Sequence, residues 1–185
     1  MQTGTRIKIT DETRRHSDKS EFLKKRLSEF NSGIKSAGPQ IAGIRAQYAF
    51  FLEMSKKKFM GFDEFIHVGH GDVDPENTPK FDFLASQKYF VNPTLMELKC
   101  IMPDSHTVTV PIDEKIYWDK LDCPLLIIIC KFLDDVEFEI IGAFWYSDIE
   151  NRKNHAGEKF LRAGKYASYM MEEDEIRIIS HKSVI

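Results

Sequence analysis

The run CPLLIIICKFL, residues 123–133, constrains the fold more than any other stretch of this chain. From Pro124 to Phe132 only Lys131 is charged. Helices usually need ten or more residues and strands far fewer. A short, continuous apolar run bounded by polar residues therefore reads as a strand covered on both faces. Such a strand belongs in the middle of a sheet with other layers above and below it. Asp134-Asp135 reads as a tight turn into VEFEIIGAFW, 136–145, which begins with period-two alternation and suits a hairpin partner.

The remaining elements are arranged around that strand. Residues 1–17 are polar and expected to be loose. SDKSEFLKKRLSEF has the spacing of a short amphipathic helix, with Phe22, Leu23, Leu27 and Phe30 towards one side. NSGIKSAGP, 31–39, is a turn-rich linker, and 39–59 is a strong helix opening at Pro39. Strands are expected over 62–70, 80–86 and 89–102, with an irregularity at Asn92-Pro93 because proline cannot donate to a ladder. A helix is expected over 111–122, another over 157–171, and a terminal strand from Glu175. The result is a mixed α/β chain: a basic arm over 1–38 and a single α/β domain over 39–185 whose sheet is flanked by helices.

Composition limits the alternatives. At 185 residues and 42% hydrophobic, the chain can build one compact core. No run reaches the roughly 18 apolar residues of a membrane span. The first residues lack the apolar centre of a secretory signal, so the expected setting is cytoplasmic and away from membranes. Cys100, Cys123 and Cys130 form no CxxC pair and read as thiols in a reducing compartment. The net charge of −3 is uneven. Residues 1–58 hold 13 Lys and Arg against 6 acids, a net of +7, and the rest of the chain carries −10. A basic third can lie along a polyanion or be a solvated helical face.

One apolar stretch carries charge at its centre. In NPTLMELKCIM, side-chain alternation puts Leu95, Glu97, Lys99 and Ile101 on one face and Met96, Leu98, Cys100 and Met102 on the other. Burying either charge alone would cost several kcal/mol, so this face is expected to open onto a cleft. A return from KFDFLAS would bring Asp82 beside Glu97. Two carboxylates on neighbouring strands can share one hard divalent cation, with Lys99 ready to orient water or steady a phosphate. Asp72 and Asp74, on the preceding loop, compete for the same role. The bland alternative is a cross-strand ion pair on a solvated face.

An acid on one strand, Glu97-Leu98-Lys99 on the next, then a helix and a buried strand together resemble the PD-(D/E)xK nuclease superfamily, over about residues 39–133. The resemblance implies a restriction-endonuclease-like αβββαβ core and Mg²⁺-dependent cleavage of DNA, with Mn²⁺ as a substitute. It implies that Asp82 and Glu97 hold the metal and that Lys99 assists the water. Many members place an acid on the first helix, where this chain has Gln47, with Glu53 almost two turns later. RNA is the alternative polymer, and a homodimer would suit cutting of both strands. Lys159, Arg162 and Lys165 recur at helical spacing and could grip phosphate. A rival reading is a non-catalytic nucleic-acid- or protein-binding module on the same fold. A third is a metal-dependent hydrolase around His67 and His70, although HxxHxD is not a zinc-fixing spacing.

Overall fold

The computed structural model describes residues 4–57, 61–68, 79–86, 93–148 and 168–172. The chain is mixed α/β. Its six-stranded sheet has the order β1-β7-β6-β4-β3-β2, built from β1 (Arg6–Lys8), β2 (Glu64–His67), β3 (Phe83–Ser86), β4 (Thr94–Ile101), β6 (Leu125–Phe132) and β7 (Glu137–Trp145). The strand β5 (Thr107–Pro111) pairs with β8 (Ser168–Glu172) in a separate two-stranded sheet. The helices are α1 (Asp11–Ser17), α2 (Glu21–Asn31), α3 (Ala37–Met54) and α4 (Ile112–Trp118).

The apolar run forms β6, in the interior of the sheet. It runs parallel to β4, with Glu97 level with Ile127 and Lys99 with Ile129, and antiparallel to β7. Its side chains divide by parity. Leu126, Ile128, Cys130 and Phe132 enter one core with Ala46, Ala49, Phe50 and Met54 of α3. Leu125, Ile127 and Ile129 enter a second core with Trp118 of α4 and Val108 of β5. Both faces are covered, as a run without polar alternation requires.

The helix α3 is buried on two sides. Ile41 and Ile44 meet Leu23 of α2, while Ala46, Ala49 and Phe50 meet the sheet. Among the described residues no helix is long and apolar enough to cross a membrane.

Several expectations need correction. The segment expected to be loose contains β1, which pairs with β7, and α1. Ile7 and Ile9 are buried in the first core, and Thr10 and Thr13 form a reciprocal capping box at the start of α1. Local capping and two buried isoleucines order a segment that has no long apolar pattern. The strand β5 was not foreseen, and residues 168–171, expected to end a helix, are strand because they pair with β5. The rest of that helix, 157–167, and the terminal strand from Glu175 lie outside the described residues. The strand expected over 80–86 begins only at Phe83, because the chain bends at residues 80–82. Phe81 consequently joins the second core with Leu84, on the face opposite Phe83.

Candidate active site

That bend sets up the polar corner of the molecule. Asp82 donates its main-chain N–H to the carbonyl of Met96 at 2.9 Å. Its carboxylate Oδ2 accepts the N–H of Leu98 at 2.8 Å. The residue thus straddles Glu97, holding the neighbouring strand on either side of it. Where β3 and β4 part, a side-chain oxygen takes a backbone donor that would otherwise be left unpaired. Its other oxygen, Oδ1, accepts Nε2 of Gln47 from α3 at 2.7 Å.

Glu97 stands on the face of the second core, as its place two residues from Leu95 requires. It is only 6% exposed, and Asp82 only 4%. The solvated-face alternative is therefore wrong for Glu97. The two acids are close enough for each to influence the other's ionisation. Lys99 Nζ lies 2.7 Å from Glu97 Oε1 and 2.5 Å from Glu114 Oε2 of α4. It also sits 5.6 Å from the centre of the Trp118 ring. Trp118 fixes the bend in turn, since its indole N–H donates to the carbonyl of Lys80 at 2.5 Å.

The electrostatics follow from burial. Loss of water pushes the Asp82 carboxyl up to about 7, although Lys99 and the Leu98 N–H pull the other way. Burial also raises Glu97 well above the usual carboxylate range, and the neighbouring Asp82 charge adds to the rise. Two buried carboxyls this close resist carrying both negative charges at once. Burial works against the Lys99 ammonium, but Glu97 and Glu114 outweigh it and raise its pKa above the ordinary lysine range. Fully ionised, the corner would set three carboxylates against one ammonium, leaving two uncompensated negative charges.

Gln47 adds an oxygen. It is 6% exposed, and its Oε1 is buried without a hydrogen-bond partner. A buried amide oxygen in this state is costly unless something positive meets it. Among the described residues, no group of three or more His, Cys, Asp or Glu is gathered as a metal centre. The donor set suited to a cation is instead two carboxylates and one amide oxygen. Magnesium, which commonly keeps several waters and takes one or two carboxylates, fits such a set.

The structure brings together Asp82, Glu97, Lys99 and Gln47. Asp72, Asp74, Lys159, Arg162 and Lys165 lie outside the described residues, as does His70. His67 packs among aromatic rings, with centroids 4.6 Å from Tyr48 and 5.2 Å from Phe83. Glu114 was missed by sequence reading. The signal was present: it lies four residues before the buried Trp118, on the same side of α4. Comparison with family models, curated proteins and solved structures finds no match to this chain.

Proposed function

We propose that the protein is a metal-dependent nuclease that hydrolyses phosphodiester bonds in DNA, with a restriction-endonuclease-like core. The observation that carries this reading is the burial of two neighbouring carboxyls, Asp82 bonded to Leu98 and Glu97 one residue before it, beside the Lys99 ammonium. The succession α3, β2, β3, β4, β5, α4, β6 supports it once β5, which pairs outside the main sheet, is set aside. Three antiparallel neighbours are followed by a helical crossover to a strand parallel to the third, the order expected of an αβββαβ core.

In this reading Asp82 and Glu97 hold Mg²⁺, and the Gln47 amide offers its unpartnered oxygen. When bound, the cation supplies Lewis acidity towards a phosphate oxygen and lowers the pKa of bound water. Both carboxyls would need to be ionised to hold the cation. Lys99 stays charged and offers an N–H donor to an attacking water or to the charge developing on phosphate. The bend at 80–82 and the Trp118 bond hold Asp82 in place.

The decisive experiment is nicking of supercoiled plasmid with and without Mg²⁺ or Mn²⁺, with single strands and RNA as further substrates. Glu97→Gln should keep the fold, checked by a thermal melt, and abolish metal-dependent cleavage. Lys99→Ala should reduce cleavage while sparing metal binding. Cleavage that survives Glu97→Gln would place the active centre elsewhere.

Gln47 at the place of an acid favours a second reading, a non-catalytic nucleic-acid- or protein-binding module. Wild-type protein that binds duplex DNA with a steep salt dependence but cuts no substrate would select it. Several cations of the basic third already have carboxylate partners, among them Arg26 with Glu29 and Arg45 with Asp18. The salt slope will therefore be shallower than a charge of +7 suggests.

A further inference from the structure

We propose that Glu114 is the positioning residue for Lys99: it fixes the ammonium from α4, so that Lys99 keeps its place independently of Glu97. This rests on the nuclease reading of the same corner.

Lys99 has three N–H donors. One meets Glu97 from its own strand and one meets Glu114, fifteen residues further along, on a separate element. Glu97 has a second obligation, the contact with Asp82. A lysine tied to Glu97 alone would follow that carboxylate whenever its charge or its partner changed. Glu114 supplies a hold that does not depend on Glu97. The setting separates this bond from an ordinary surface pair. The side chains of Lys99 and Glu114 are 14% and 23% exposed, whereas those of Lys24 and Glu21 in α2 are 53% and 65% exposed. Trp118, one helical turn beyond Glu114, places its ring beside the ammonium and restricts it further.

The test pairs two measurements on the full chain. The first is the rate at which a water-soluble acylating reagent modifies the Lys99 amine, read by peptide mass spectrometry against the exposed Lys25 and Lys35. The second is steady-state cleavage of DNA in Mg²⁺. In Glu114→Ala, Lys99 should react about tenfold faster and kcat should fall about tenfold, the size of one lost hydrogen bond to a charged group. KM should be little changed, because Glu114 does not meet the substrate. Glu114→Gln keeps an acceptor and should restore both readings to near wild type, which a general loosening of α4 would not do.

Lys99 reacting no faster in Glu114→Ala would overturn the proposal whatever the activity. Faster reaction with unchanged kcat would also overturn it, because the hold would then serve no step. If wild-type protein cuts nothing, the nuclease reading fails, and the catalytic half of this proposal fails with it. The acylation rates would still decide separately whether Glu114 holds Lys99.

Discussion

Two neighbouring strands of one sheet, β6 and β4, solve opposite problems. In β6 every described side chain from Leu125 to Cys130 is apolar and enters one of two cores, so stability follows from area removed from water. In β4 the middle of the strand carries Glu97 and Lys99, hydrogen-bonded and paired but drawn into the same low-dielectric interior. Removing material from the first should weaken the protein. Removing a negative charge from the polar corner around the second should strengthen the protein and, in the proposed reading, disable it. Protein sites built for chemistry often sit below their stability optimum in this way.

The largest effect expected from this contrast is in the core. Ile128→Ala, at a position fully buried beneath α3, should cost about 2–5 kcal/mol in a denaturant melt. A loss below about 1 kcal/mol would mean that this face of β6 is not closely packed.

The next is a pH dependence specific to the polar corner. Folded Asp82 titrates near 7, against 3.8 for its ordinary value. Between those values the folded chain holds a proton that the unfolded chain releases. Stability in a chelator should therefore fall as pH rises from about 4 towards 7 and level off above. Glu97, also raised above the usual carboxylate range, adds to the fall. Melting temperatures from pH 5 to 8.5 read the slope, and added Mg²⁺ should reverse much of it above pH 7. Ile128→Ala should lower the whole curve and leave its shape alone.

A smaller gain should come from Asp82→Asn. At pH 8 in chelator it removes a buried negative charge while keeping an acceptor for Leu98, and its new N–H group meets Oε1 of Gln47 once that amide turns over. A gain of about 1–2 kcal/mol is expected, close to nothing at pH 5 where Asp82 is already protonated, with cleavage lost. A destabilised variant at pH 8 would show that the Asp82 charge is well compensated without metal.

The smallest signal is in the thiols. Burial pushes Cys100 of β4 up to about 12 and raises Cys130 of β6 as well, whereas Cys123 is exposed. A disulfide reagent at pH 8 should modify Cys123 at once, half-buried Cys100 more slowly, and buried Cys130 only through opening. Equal rates at Cys100 and Cys130 would make the two strands one cooperative unit.

The same contrast marks what the sequence made legible. β6 and β7 were readable because burial on two faces leaves an unbroken apolar run. The side of β4 shared by Glu97 and Lys99 followed from alternation alone. The helix α3 was readable from its apolar centre. The bend at 80–82 was not, since it is held by distant partners: the Asp82 carboxylate takes the N–H of Leu98, and Trp118 grips Lys80. β1, β5 and β8 escaped because three to five residues carry too little pattern and owe their form to distant partners. Glu114 was hidden for a related reason. Its meaning depends on which strand α4 lies against, and a helix of seven residues does not announce that.

The pairing of β1 with β7 also sets an order in time. Arg6 meets Glu139, so β1 finds its place only once β7 has been synthesised. Until then Ile7 and Ile9 have no finished sheet edge to cover. Contacts so far apart in sequence form slowly, and the last hydrogen bonds of the sheet wait on them. Until β1 docks, the edge of β7 stands open to other strands, and a strand of only three residues then covers part of it.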